Sequence, residues 1–234
     1  MRSNYRTISP MCRVYEEYHP IYLKLLRQAC SKYNIHLIAD EIAVGFGRTG
    51  SMFAYEQSKI IPDIICLSKG ITGGYMTLST ILTTDEIYNA FYDEYTKLNA
   101  FLHSHSYTAN PIACAAANAS LDLFEKNNVI EKNKILSNYI HNSLKELSEH
   151  PHVSDVRQHG MIAAIEVVKN KLTKEPYDWK ERRGMIAYQY GLKNNVLIRP
   201  LGNVIYFMPP YVIKKKEIDK VINVIKAAID VATK

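Results

Sequence analysis

The sequence predicts an α/β protein in which a parallel-sheet portion is followed by a smaller α+β unit. Two short apolar runs carry the first half of that reading. Leu37-Ile38-Ala39 ends at the carboxylates Asp40-Glu41, and Ile64-Ile65-Cys66-Leu67 ends at Ser68-Lys69-Gly70. Continuous apolar runs of this length suit strands buried on both faces of a parallel sheet. The second half rests on a change of pattern near residue 128, beyond which helix-period segments alternate with strand-like runs. The expected organisation is therefore a partial large domain over 1–127 and a small carboxyl-terminal domain over 128–234.

In the large domain, Tyr22, Leu25, Leu26, Ala29, Cys30 and Tyr33 recur at helical spacing behind Pro20, which suits a first helical turn. Gly45 to Gly50 and His103 to Thr108 read as loops. Asn110-Pro111 caps and starts an alanine-rich helix from Ile112 to Phe124, expected to be the connecting helix at about 110–125. In the small domain a helix carries Leu136, Ile140, Leu144 and Leu147. Strand-like runs follow at Met161 to Val168, Val196 to Ile198 and Val204 to Met208, and a last helix is marked by Ile218, Val221, Ile222, Ile225 and Ile229.

Composition narrows the class. The 234 residues are 47% hydrophobic and 22% charged, which excludes a disordered or fibrous chain. The net charge of +6 comes from 29 basic residues scattered among 23 acidic ones, and no basic run interleaves with aromatics, so no nucleic acid is expected as a partner. Cys12, Cys30, Cys66 and Cys114 lack C-x-x-C spacing, which reads as reduced thiols in a cytoplasmic protein. No apolar run approaches the roughly 20 residues needed to span a bilayer, and Met1 to Arg6 opens no signal-like stretch, so no membrane partner is expected.

Polar residues just after buried strands are where open α/β sheets bind ligands. Asp40 and Lys69 both stand there. A carboxylate that holds a protonated ring nitrogen and an amine that acts as a nucleophile are together what pyridoxal phosphate needs. By spacing alone, a strand-terminal Asp is more often a cap or turn residue. His103 and His105, with no third ligand nearby, make a poor zinc signature, and no metal is expected. Gly45-x-Gly47-x-x-Gly50 follows two carboxylates and precedes no helix-periodic run, so it reads as a structural turn rather than a dinucleotide loop.

The longer run Leu37 to Ile42, Gly45-Phe46-Gly47-Arg48-Thr49-Gly50, Pro62-Asp63-Ile64 and Ser68-Lys69-Gly70-Ile71-Thr72-Gly73-Gly74 resembles the pyridoxal-phosphate signature of class III aminotransferases. Met76 to Ser79, Asn110 to Ala115, Ile198 to Gly202 and Ile205 to Tyr211 resemble the members of that family that serve biotin synthesis. Those members pass an amino group from S-adenosylmethionine to 8-amino-7-oxononanoate. The resemblance runs from about His19 to the carboxyl end.

It implies a fold-type I pyridoxal 5'-phosphate transferase, of which this chain supplies the carboxyl-terminal half of the large domain and the small domain, acting as a homodimer with shared active sites. Carried over by motif, Lys69 is the Schiff-base lysine, which also moves the substrate proton, and Asp40 pairs with the pyridine nitrogen. His105 and Ser106 match positions that reach the cofactor phosphate of the neighbouring subunit. Ser104 and Tyr206 match positions at the substrate. Members often have Gly, Pro and Thr where Ser104, His105 and Ser106 stand, and Ser106 keeps the hydroxyl that a phosphate oxygen requires. Arg199 matches the arginine for the acceptor's carboxylate, a role its planar fork suits.

Family members carry a further amino-terminal portion with a glycine-serine loop and helix amino-terminus for the phosphate, which Met1 to Tyr18 does not resemble. The chain therefore reads as truncated at its amino end and inactive alone. Two other readings stay open: a non-catalytic remnant that keeps the fold, and another class III transaminase with an ω-amino donor such as ornithine or 4-aminobutyrate. The Ile205 to Tyr211 run argues against the second.

Overall fold

The computed structural model describes residues 18–234, and the expectations for Cys12 and for Met1 to Glu17 lie outside the described residues. The chain divides into two compact units. The first contains 18–47 and 51–129, and the second 48–50 and 130–234.

The first unit opens with α1 (Pro20–Lys32), where Pro20 sits in the first turn and the His19 ring accepts the Ile21 N–H at 3.2 Å. Its buried face, Leu23 and Cys30, packs with Leu37 and Ile60. Three strands follow: β1 (Ile38–Asp40), β2 (Ile64–Ser68) and β3 (Ser79–Thr83). β1 and β2 run parallel, with Ile38 opposite Ile64 and Asp40 opposite Cys66, but β3 returns antiparallel on the far side of β2. The sheet is thus mixed rather than wholly parallel. Its strands are also only half covered: Leu67 and Ala39 are buried, whereas Ile81 is 67% exposed. A short α2 (Asp85–Asn89), capped by the Thr84 hydroxyl, precedes a run over 91–109 that is exposed throughout. α3 (Pro111–Lys126) then starts as expected, with the Asn110 side chain accepting the Ile112 and Ala113 N–H groups.

In the second unit α4 (Val129–Leu144) runs into a 3₁₀ turn over Lys145–Glu149 that buries Leu147. The sheet comprises β4 (Val153–His159), β5 (Ile162–Asn170), a two-residue β6 (Glu175–Pro176), β7 (Arg199–Leu201) and β8 (Val204–Phe207). All neighbours are antiparallel, in the order β4-β5-β8-β7, with β6 beside β5. α5 (Arg183–Lys193) and α6 (Lys215–Ala232) complete it. Ile218, Ile222, Ile225, Ala228, Ile229 and Ala232 of α6 are all buried, and they join Ile165, Ile205 and Phe207 of the sheet in one core.

One expected strand moves. Val196 to Ile198 is not a strand, and the pairing begins only at Arg199, three residues past the expected start, where Tyr206 of β8 supplies a partner. Arg199 accordingly opens β7 instead of following a strand.

Candidate active site

The parallel pairing of β1 and β2 brings the ends of both strands to the same edge of the first unit's sheet. Asp40 closes β1 opposite Cys66, and Lys69 begins the 3₁₀ turn Lys69–Thr72 just past β2. One carboxylate oxygen of Asp40 accepts the Ile42 N–H at 3.1 Å, and the other takes no hydrogen bond from the described residues. Burial pushes the neighbouring Cys66 thiol above its usual range and the Asp40 charge pushes it further, so this cysteine stays protonated near neutral pH. The Lys69 side chain is exposed and makes no ion pair with described residues, and its backbone is left-handed at φ 50°. A non-glycine residue in that conformation costs about 1 to 3 kcal/mol and is concentrated at functional positions.

The turn after Lys69 is braced. The Ser68 hydroxyl donates to the Leu78 carbonyl at 2.7 Å and Thr72, buried, to the Met76 carbonyl at 2.6 Å. These bonds need side-chain donors, and the sequence places Ser68 and Thr72 on either side of Lys69-Gly70-Ile71 to supply them.

Ser104, His105 and Ser106 lie in the exposed run, and the polar contacts of His105 stay within its own turn. The His105 Nδ1 accepts the Tyr107 N–H at 3.1 Å, which leaves Nε2–H free to donate outward. Arg199 and Tyr206 stand directly opposite each other on β7 and β8 of the second unit. The guanidinium lies 5.9 Å from the Tyr206 ring centre, within reach of a cation–π contact. They share a cavity of about 440 Å³ with Met208, Pro209, Lys220 and Val221.

Two residues matter that sequence reasoning passed over. Glu41 has no exposed surface, and its oxygens accept the Ala54 and Tyr55 N–H groups at 3.0 Å each. Arg48 belongs to the second unit, where it donates to the Pro209 carbonyl at 2.5 Å and lies 4.4 Å from the Tyr211 ring. Its own carbonyl accepts the Met161 N–H at 2.8 Å. Gly160 has to be glycine for that approach, since φ is 57° and a Cβ would lie 2.5 Å from the Arg48 oxygen. Burial drives the Tyr211 hydroxyl up to about 12, against the opposing pull of Arg48. The Asp40-Glu41 pair and the Gly45 to Gly50 turn were the visible signals for both residues. Among the described residues no group of three His, Cys, Asp or Glu side chains could hold a metal ion.

This pairing of a strand-end carboxylate with a strand-end lysine falls inside a family match that spans residues 15–229, to the aminotransferase class-III family. The chain belongs to that family. The adenosylmethionine-8-amino-7-oxononanoate aminotransferase of Helicobacter pylori is 54% identical over 88% of this chain and 46% of its own length. That of Aquifex aeolicus is 46% identical over 90% of this chain and 46% of its own. The crystal structure of the Methanocaldococcus jannaschii adenosylmethionine-8-amino-7-oxononanoate aminotransferase superposes with a TM-score of 0.85 at 43% identity, covering 89% of this chain and 49% of that one. An omega-transaminase from Thermomicrobium roseum reaches the same TM-score at 32% identity, covering 91% and 47%. The chain spans about half the length of the curated relatives it matches.

Proposed function

We propose that this chain is the carboxyl-terminal part of a pyridoxal 5'-phosphate transaminase of biotin synthesis, moving an amino group from S-adenosylmethionine to 8-amino-7-oxononanoate in the cytoplasm. The observation that carries the reading is Asp40 and Lys69 at the carboxyl ends of adjacent parallel strands, each with a reactive atom that no described residue pairs. The residues fit the cofactor: the free Asp40 oxygen suits a protonated ring nitrogen, and the Lys69 amine is unencumbered. When bound, the cofactor supplies an electron sink for charge developing on the substrate carbon. Lys69 Nζ would carry the proton between the substrate carbon and the cofactor carbon, in one direction for the donor and in the reverse direction for the acceptor. Asp40 keeps the ring nitrogen protonated by its negative charge.

Arg199 holds the acceptor's carboxylate, with Tyr206 beneath it and the apolar Met208 and Val221 in the same cavity suited to an alkyl chain. His105 and Ser106 donate to a phosphate in the partner subunit of a homodimer. The exposure of the 91–109 run and the outward His105 Nε2–H support that role. Ser104 stands beside the substrate in the same run.

The direct test is turnover with S-adenosylmethionine and 8-amino-7-oxononanoate, with lysine, ornithine and glutamate as competing donors. The proposal expects adenosylmethionine to be preferred in the assembled protein and loss of turnover on Lys69→Ala. A clear preference for ornithine or glutamate would move the protein to the ω-donor class.

A further inference from the structure

Glu41 is a carboxylate with no exposed surface and, among the described residues, no cation against it, and the proposed chemistry does not use it. The charges that act on it are Glu56 and Asp40, both negative. An acid placed so expensively has to be held by something. Its two oxygens grip the Ala54 and Tyr55 amides, the first N–H groups of the 3₁₀ turn Ala54–Ser58, whose own preceding residue Phe53 supplies no side-chain cap. Its main chain is pinned as well. The Glu41 N–H donates to the Cys66 carbonyl of β2 at 3.0 Å, and its carbonyl accepts the Gly45 N–H at 2.9 Å. A Cβ at residue 45 would lie 2.8 Å from that carbonyl, so the approach requires glycine. The peptide immediately after Asp40 is thus tied to three separate segments, and the Ile42 N–H that orients the Asp40 carboxylate is the next group along.

We infer that Glu41 is a positioning residue: by clamping the Ala54 and Tyr55 amides it fixes the 40–42 peptide and so the direction of the Asp40 carboxylate. The inference rests on the reading of Asp40 as the ring-nitrogen partner. Without the clamp, Asp40 would turn with its peptide and face away from the end of β2.

The test uses Cys66, on which Asp40 acts and Glu41 does not, so it needs no cofactor. The pH midpoint of Cys66 alkylation by iodoacetamide is read by mass spectrometry on the full chain. Asp40→Asn should lower the midpoint, because it removes the negative charge that helps hold the Cys66 thiol protonated. Glu41→Gln, whose Nε2 cannot accept the N–H that the second Glu41 oxygen holds, should give at least half of that fall. The double variant should fall no further than Asp40→Asn alone, since both act through one charge. Ala54→Pro removes one clamped N–H at a first-turn position that tolerates proline, and should give an intermediate fall if Glu41→Gln folds poorly. An unchanged midpoint in Glu41→Gln or Ala54→Pro overturns the inference. So does a double variant with additive falls, which would mean that Glu41 merely keeps Cys66 buried. Failure of cofactor to bind at Lys69 would count against the proposed function and leave this result standing.

Discussion

Among the described residues, twenty buried apolar residues of the second unit form one cluster, whereas the first unit holds two clusters of four. Most of the exposed large apolar side chains belong to the first unit too, among them Ile61, Ile81, Tyr92, Tyr95 and Leu102. Surface of this kind marks an interface more often than a free face. The comparison teaches that the unit carrying Asp40 and Lys69 is the one that covers itself poorly, while the unit carrying Arg199 is closed around its own core. Asp40 and Lys69 thus stand at the edge of an under-covered sheet.

The largest expected effect tests whether the poorly covered unit holds the chemistry. Lys69→Ala should lower transaminase turnover of the assembled protein by about 10² to 10⁴-fold or more, since it removes both nucleophile and proton carrier. A residual rate near the original would place the amine elsewhere. Next comes the closed core: Ile165→Ala, at a position with no exposed surface, should cost the second unit about 2 to 5 kcal/mol in denaturant unfolding. The same change at Ile81, two-thirds exposed on β3, should cost the isolated chain within about 0.5 kcal/mol. If the two costs were equal, the contrast between the units would be false.

Arg199→Ala should weaken the acceptor by about 1.5 to 3 kcal/mol, or roughly 10 to 150-fold in its KM, with the donor's KM less affected. Lysine at 199 should restore only part, because it lacks the planar fork. The smallest effect concerns acid. Burial alone would raise the Asp63 carboxyl, but the Leu37 N–H and the Arg27 guanidinium, each at 2.6 Å, outweigh it and hold the group below its ordinary value of 3.8. A depressed carboxyl contributes stability that is present above the ordinary value and lost as pH falls through the folded one. The first unit should therefore weaken below about pH 4. Asp63→Asn should cost about 1 to 3 kcal/mol at pH 7 and flatten that acid loss. Acid melts followed by circular dichroism would decide.

Much of the site was legible because its residues end apolar runs. Ile38 to Asp40 and Ile64 to Lys69 announce strands whose polar ends lie at one edge of the sheet, and Asn110-Pro111 announces a helix start. The missed elements lack such marks. β4, Val-Ser-Asp-Val-Arg-Gln-His, has only two apolar residues, and its Arg157 pairs with Asp155 and Glu166 at 2.8 and 2.6 Å, so no apolar run marks it. α5 contains Gly184 and Gly191, where backbone and side chains of 196–202 approach too closely for a Cβ, and glycine hides a helix from propensity. β3 runs antiparallel with exposed residues, so neither alternation nor a buried run betrays it. The clamp of Glu41 is a long-range bond to residues 54 and 55, and adjacency to Asp40 was its only trace.

Reductive trapping tests the central claim most directly. The full chain, and the assembled protein that contains it, would be incubated with pyridoxal 5'-phosphate, reduced with borohydride, digested and mapped by mass spectrometry. The account predicts that the pyridoxyl group concentrates on Lys69 above every other lysine and disappears from that peptide in Lys69→Ala. Label concentrated on a different lysine, or spread evenly over the surface lysines of both units in the assembled protein, would contradict it.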